Sequence, residues 1–433
     1  MFDSNICPKR TLPSILINIS FLYIFYRIIF VKASIEGLAI FIIYSLIASF
    51  LFIKNSRNIL TLEMILYCVI PPLITLFCEF ILHNHPDLNI LTVLTNKQIL
   101  EMYNINYAYL LAFLPLPFIL YNLKYRTLNL FKITMLSTIT YITLNLYLYF
   151  ALNLNRDGFN EKFGQIINYD FLTLIIISTS LIYSFYLFET RKKYTAWILF
   201  LVSLFAFSLN IMHGTRGAWL AIPIIFLYTM FSYKKTCKPF IRTLIFSCFL
   251  LIIALSSFRI NGITDRLQNT NQDISLIQNN SSQVTSIGSR LIMWKNSIDI
   301  FQSSPLIGVG SLNLAQETCN LNKKGFLDKN SCFTHVHNIY FQELASHGVL
   351  GLISLCILFF YPLYRFIKFR SYPDSTTKLV VTTGIVTILT VMICGLTDYF
   401  FISQVSMSLY SVIILVLLTH LQRISHTGVF SND

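Results

Sequence analysis

The sequence predicts an all-α polytopic membrane protein of about twelve transmembrane helices, with one long loop on its outward side. Three observations carry that expectation. Of 433 residues, 55% are hydrophobic and only 12% are charged, whereas a soluble domain carries about 25% charged residues. Apolar runs of spanning or near-spanning length recur along the whole chain. Lysine and arginine concentrate in every other loop between those runs, the pattern of the positive-inside rule. The net charge of +13 is therefore no nucleic-acid signal, because the basic residues form short clusters between helices rather than one face.

The runs fall at 13–31, 34–53, 59–82, 106–121, 128–152, 169–189, 196–212, 217–233, 241–258, 348–364, 379–397 and 402–420. The first is too long for a signal-peptide core and lacks a small-residue cleavage site, so it reads as a retained helix. Pro71-Pro72 and Pro115/Pro117 interrupt two runs. They either kink helices whose neighbours satisfy the freed carbonyls, or break them around a lipid groove. With a cytoplasmic N terminus, the inner loops hold Lys9-Arg10, Arg191-Lys192-Lys193 and Lys234-Lys235, and Arg423 keeps the C terminus on that side. Helices 1–9 then occupy 1–258, the long outward loop 259–347, and helices 10–12 with a short cytoplasmic tail 348–433.

Within that loop the polar stretch Gln268–Gln283 gives way to Ser286-Ile287-Gly288-Ser289-Arg290. Leu291, Trp294, Ile298 and Phe301 follow at three- and four-residue spacing, predicting an amphipathic helix. Ser286 or Ser289 caps it, and Ser304-Pro305 with Gly308 and Gly310 stops it. Trp and Phe on one face place it at the membrane interface. The cysteines show no CxxC and no metal-ligand spacing. Most lie in apolar runs as small hydrophobes, but Cys319 and Cys332 share the outward loop. In an oxidising compartment they are expected to form a disulfide just ahead of His335.

The chemistry-bearing residues gather on the outward side. Three histidines, His335, His337 and His347, lie with Asn338 and Glu343 just before the apolar run that starts at 348. Imidazoles at membrane depth usually have a task. Arg216 stands at the outer end of a run among Gly214, Gly217 and Ala218, small residues that let a bulky group approach. Guanidinium suits a bidentate grip on phosphate, or else it anchors to lipid headgroups. Arg290 opens the amphipathic helix, while Arg156 and Arg266 are weaker candidates. The acids Glu63, Glu79 and Asp398 fall in or beside predicted spans. No DxD, Gly-rich phosphate loop, GxSxG elbow or HExxH occurs, so the expected site is basic, without a metal or other cofactor. A flippase is the competing class, but it would carry its charges near the midplane between repeats.

His337-Asn338, nine residues, Gly348, two residues and Gly351 resemble the signature of bacterial O-antigen ligases. Thr215-Arg216-Gly217-Ala218-Trp219-Leu220 is similar to the arginine motif of the same proteins. Ser286–Arg290 with Ser304-Pro305-Leu306-Ile307-Gly308-Val309-Gly310 resembles a loop segment of the wider ligase/polymerase superfamily. The resemblance, over residues 211–351, implies a GT-C-like fold and a metal-independent inverting glycosyltransferase of the bacterial inner membrane. Its donor would be an undecaprenyl-diphosphate-linked glycan, and for a ligase the acceptor is the lipid A–core at the periplasmic face. An O-antigen polymerase or a protein O-oligosaccharyltransferase shares the superfamily. The roles implied are His337 as general base, Arg216 and Arg290 on the diphosphate, and Asn338 orienting the imidazole or a sugar hydroxyl. His347, in a spacer position of the signature, is expected to be dispensable.

Overall fold

A computed structural model describes residues 12–30, 47, 61–82, 107–154, 156–163, 166–235, 286–323 and 335–426. Among them there is no strand. The helices are α1 (Leu12–Phe30), α2 (Leu62–Leu82), α3 (Ala108–Ala112), α4 (Pro115–Asn122) and α5 (Leu128–Leu146), which runs on into a π-helical turn, Tyr147–Ala151. They continue with α6 (Arg156–Phe163), α7 (Ile166–Glu189), α8 (Lys193–Met212), α9 (Arg216–Ser232), α10 (Ser286–Ser303) and α11 (Ser311–Lys323). Last come α12 (Ile339–Lys368), α13 (Ser375–Cys394), a short turn at Phe400–Ile402 and α14 (Gln404–His426).

Among the described residues, seven helices are long and apolar enough to cross a membrane: α2, α5, α7, α8, α12, α13 and α14. Three shorter apolar helices, Ile15–Tyr26, Leu110–Asn122 and Arg216–Ser232, match further expected runs. The runs at 34–53 (Ile47 apart) and 241–258, like 83–105, lie outside the described residues. The molecule is a multi-pass membrane protein. α7 forms its centre, buried along most of its length against α5, α8, α9 and α13. Large apolar side chains instead face outward at Phe80, Leu227 and Tyr364, which lipid tolerates at no hydrophobic penalty. Inside the bundle, hydroxyls bond to carbonyls of their own helix, as Ser137 does to Ile133 O at 2.9 Å. Thr138 and Ser180 also join α5 to α7 at 2.7 Å. The Pro71-Pro72 step leaves α2 continuous, with Thr75 Oγ1 donating to Pro71 O and Pro72 O and Ser354 of α12 adding a bond to Pro71 O. This is the kink satisfied by neighbours rather than a broken helix.

Three local expectations change. α12 starts at Ile339, ahead of the apolar run at 348, because its polar first turns find buried partners. It bends at Gly348, whose φ of 62° and ψ of −149° leave the helical region. Residues 311–323, read as loop, form α11. The stripe expected on α10 also splits: Met293 and Ser297 are buried and Trp294 stacks on Phe341 at 5.5 Å, while Leu291 and Ile298 are exposed. α10 thus packs on α12 through one face and turns apolar residues outward on another.

Candidate functional site

The turn that follows α13, Gly395–Tyr399, is the hub. Gly395 O accepts from Ile339 N at 2.8 Å, and Leu396 O accepts from Asn338 Nδ2 at 3.0 Å. Both contacts fasten the start of α12 to the end of α13. Thr397 packs against Gly217 so closely that a Cβ at 217 would collide with its Oγ1. The residue after Arg216 therefore touches the residue before Asp398. Helices distant in sequence meet here because small residues let their backbones approach.

His337 sits on that hub. Its Nδ1 lies 2.9 Å from Asp398 Oδ1, and His335 Nε2 lies 3.2 Å from the same oxygen. Tyr399 N donates to that oxygen at 2.8 Å. The two imidazole centroids are 4.2 Å apart. His337 has φ +51°, a left-handed backbone that a non-glycine residue seldom takes and that clusters at functional sites. Its side chain keeps 16% of its exposure. Burial is the main reason its pKa falls below the ordinary 6.5, helped by His335 and Arg290 and opposed by Asp398. Burial works to raise Asp398, but the two imidazoles outweigh it and hold the carboxyl well below the usual range. The pair is thus a neutral imidazole donating through Nδ1 to a carboxylate, which leaves the lone pair on Nε2.

The ligand atoms of His335, His337 and Asp398 lie within 4.8 Å of one another, close enough for a metal ion. With a carboxylate as the acceptor, the same contacts at Oδ1 also suit a proton-handling cluster in which each imidazole donates an N–H.

Arg290, half-buried in the first turns of α10, is close enough for its charge to act on His337. Arg216 opens α9 against the hub. Both arginines therefore come to the same end of the bundle as the imidazole. Arg156 begins α6, whose Phe159 stacks near His213, 4.8 Å between centroids, three residues before Arg216. Arg266 and Cys332 lie outside the described residues, as does the side chain of Cys319, so the expected disulfide falls outside them too. Asn338 bonds to the backbone. Its Oδ1 accepts from Tyr340 N and Phe341 N as the N-cap of α12, and its Nδ2 ties down the hub. The amide thereby holds the backbone on both sides of the residue that follows His337.

The signature glycines also have a physical reason. Val309 N donates to Ala345 O, Gly310 N to Ser346 O, Val349 N to Pro305 O and Leu350 N to Leu306 O. The 304–310 loop thus crosses the bend of α12 backbone to backbone. A Cβ at Gly348 would meet Leu306 C at 2.5 Å, and one at Gly308 would strike Ser346; both residues have positive φ. Gly351 is needed where a Cβ would approach His347 Cβ to 2.6 Å.

His347, in a spacer position of the signature, is fully buried between two acids. Its Nδ1 is 2.8 Å from Glu343 Oε2 and its Nε2 3.0 Å from Glu79 Oε1. Glu343 Oε1 accepts from Tyr107 OH at 3.1 Å and Tyr399 OH at 3.2 Å. Glu79 Oε1 accepts from Ser311 N at 2.9 Å, the start of α11. This network braces Tyr399 beside Asp398. The sequence points to Asp398 and Glu79 without giving either a partner. The signal for Asp398 is topological: a helix entering after His337 and its successor returning must end on the same side.

The O-antigen ligase family model matches residues 199–356, which include Arg216, Arg290 and His337. Over that stretch the chain resembles the O-antigen ligase family. It is 24% identical to an uncharacterised protein of Haemophilus influenzae over 301 residues, 69% of this chain and 74% of that one. It is 30% identical to the O-antigen ligase of Escherichia coli over 182 residues, 40% of this chain and 41% of that protein. Both matches support the O-antigen ligase/polymerase superfamily. The family match ends inside α12, so Asp398 lies outside it.

Proposed function

We propose that this protein is an O-antigen ligase. It transfers a finished O-antigen from undecaprenyl diphosphate to a hydroxyl of the lipid A–core, at the periplasmic face of the inner membrane. The observation that carries this reading is the Nδ1–Oδ1 contact of 2.9 Å between His337 and Asp398, with Arg290 acting on that imidazole and Arg216 at the same end of the bundle. Nε2 of His337 takes the acceptor hydroxyl proton as its oxygen attacks the anomeric carbon. The anomeric C–O bond breaks, and its electron pair leaves with the diphosphate. Arg216 and Arg290 stabilise the charge that grows there. Attack opposite the leaving group inverts the anomeric centre, and the proton passes from the imidazole to water. No metal is required, because guanidinium supplies the positive charge.

A deletion strain tests the reading. Loss of a ligase leaves rough lipopolysaccharide while polymerised O-antigen accumulates on its lipid carrier. Single repeat units on the core would instead identify a polymerase, and intermediates trapped on the cytoplasmic side a flippase.

A further inference from the structure

We propose that Asp170 is a positioning residue that sets Arg216 for its grip on the donor diphosphate; the inference rests on the role given to Arg216 above. Asp170 lies near the start of α7, with a side chain at 0% exposure. Its Oδ1 is 2.5 Å from His213 Nδ1, and its Oδ2 accepts the Thr215 hydroxyl. One carboxylate therefore holds both sides of Gly214, in the turn that ends on Arg216. Gly214 has φ +74° and bonds its N–H to Ile211 O at 2.9 Å, so the turn is tight.

Thr215 is the N-cap of α9, yet its side chain makes no cap bond, because its hydroxyl is directed to Asp170 instead. The stabilisation a cap normally gives is forgone for a link that fixes the residue before Arg216. The other end of the clamp is held as firmly. Asn210 Nδ2 donates to Asp170 O at 3.0 Å. His213 Nε2 lies 3.0 Å from Asn145 Oδ1, whose Nδ2 bonds Tyr141 O and Tyr169 OH. Tyr149 and Phe159 close over the imidazole, with centroids 5.8 and 4.8 Å from it. A buried carboxylate satisfied by the two residues flanking a turn has one evident use, to hold that turn in a single geometry.

The test uses the full chain in lipid nanodiscs, with undecaprenyl diphosphate as probe and glycan transfer as second readout. Asp170→Asn, Arg216→Ala and the double variant form a cycle. Asp170→Asn should accumulate and bind the probe about tenfold more weakly, as a displaced gripping group does. The double variant should bind no more weakly than Arg216→Ala alone. Additive losses, or wild-type binding by Asp170→Asn, overturn the proposal. If Asp170→Asn fails to accumulate, Thr215→Val, which removes only one donor, replaces it in the same cycle, and additive losses or wild-type binding by that variant overturn the proposal equally. Equal binding by wild type and Arg216→Ala overturns the diphosphate role of Arg216 itself, a result distinct from additivity.

Discussion

Two histidine–aspartate pairs stand at the end of the bundle where α9 begins and α13 ends. In both, Nδ1 of the imidazole faces Oδ1 of the carboxylate, at 2.9 Å for His337–Asp398 and 2.5 Å for His213–Asp170. Their surroundings separate them. The first pair keeps 16% and 13% of its side-chain exposure, and the second keeps none. His213 spends its other nitrogen on Asn145 under aromatic rings, so its pair can act only on neighbouring protein. His337 stands on a strained backbone at an accessible edge with arginine charge nearby. In the proposed reading the same dyad serves chemistry in one place and geometry in the other, and access decides which.

The largest effect should come from His337→Ala. Removing a general base lowers transfer by about 10²- to 10⁴-fold, with protein abundance unchanged; lipopolysaccharide gels and in vitro transfer measure it. His213→Ala should instead reduce folded protein in detergent extracts, and the contrast breaks if both variants lose only activity. Asp398→Asn keeps shape but offers an amide where the imidazole needs an anion, and should lower kcat by about 10²-fold or more. An unchanged kcat would detach Asp398 from the reaction.

His347→Ala is the control from a third, fully buried cluster. It leaves Glu79 and the buried Glu343 without the imidazole they share, which destabilises by about 3–5 kcal/mol; thermal unfolding in detergent would register it. Arg216→Lys and Arg290→Lys keep charge but lose the two-pronged grip, and each should lower transfer by about tenfold or more. Full activity in either would reduce its role to local potential.

The smallest effect is a pH limb. His337 must be neutral to accept a proton, and its pKa lies below 6.5. Transfer should therefore hold at neutral pH and decline only on acidification below that value, while Asp398, held well below the usual carboxylate range, is ionised at neutral pH. A decline already complete at pH 6.5, in initial-rate measurements, would contradict the buried neutral imidazole.

Much of the candidate site is legible in the sequence because it is written locally. His337, Arg216 and Arg290 each occur in short motifs with glycines beside them, at the ends of apolar or amphipathic segments, and the fold brings all three to one end. The glycines are legible as a pattern but not as a cause, since Gly308 and Gly348 matter only through their mutual backbone crossing. Asn338 suits a substrate contact by residue type alone; its capping bonds depend on where α12 begins, a boundary that the polar residues ahead of the apolar run obscure.

By itself the sequence determined a membrane-spanning helical bundle, since long apolar stretches have no other stable solvent and must satisfy their backbone internally. It also determined, through loop charge, which segment ends were expected to share a side. Only the tertiary structure decided that Asp398 meets His337, that Glu79 and Glu343 enclose His347, and that Asp170 spans the turn before Arg216. Those pairings join residues 43 to 268 positions apart, apart from the helical neighbours Glu343 and His347. Apolar patterning says that a helix is buried but not which helix it is buried against; that choice follows from the fit of small residues and kinks between packed surfaces.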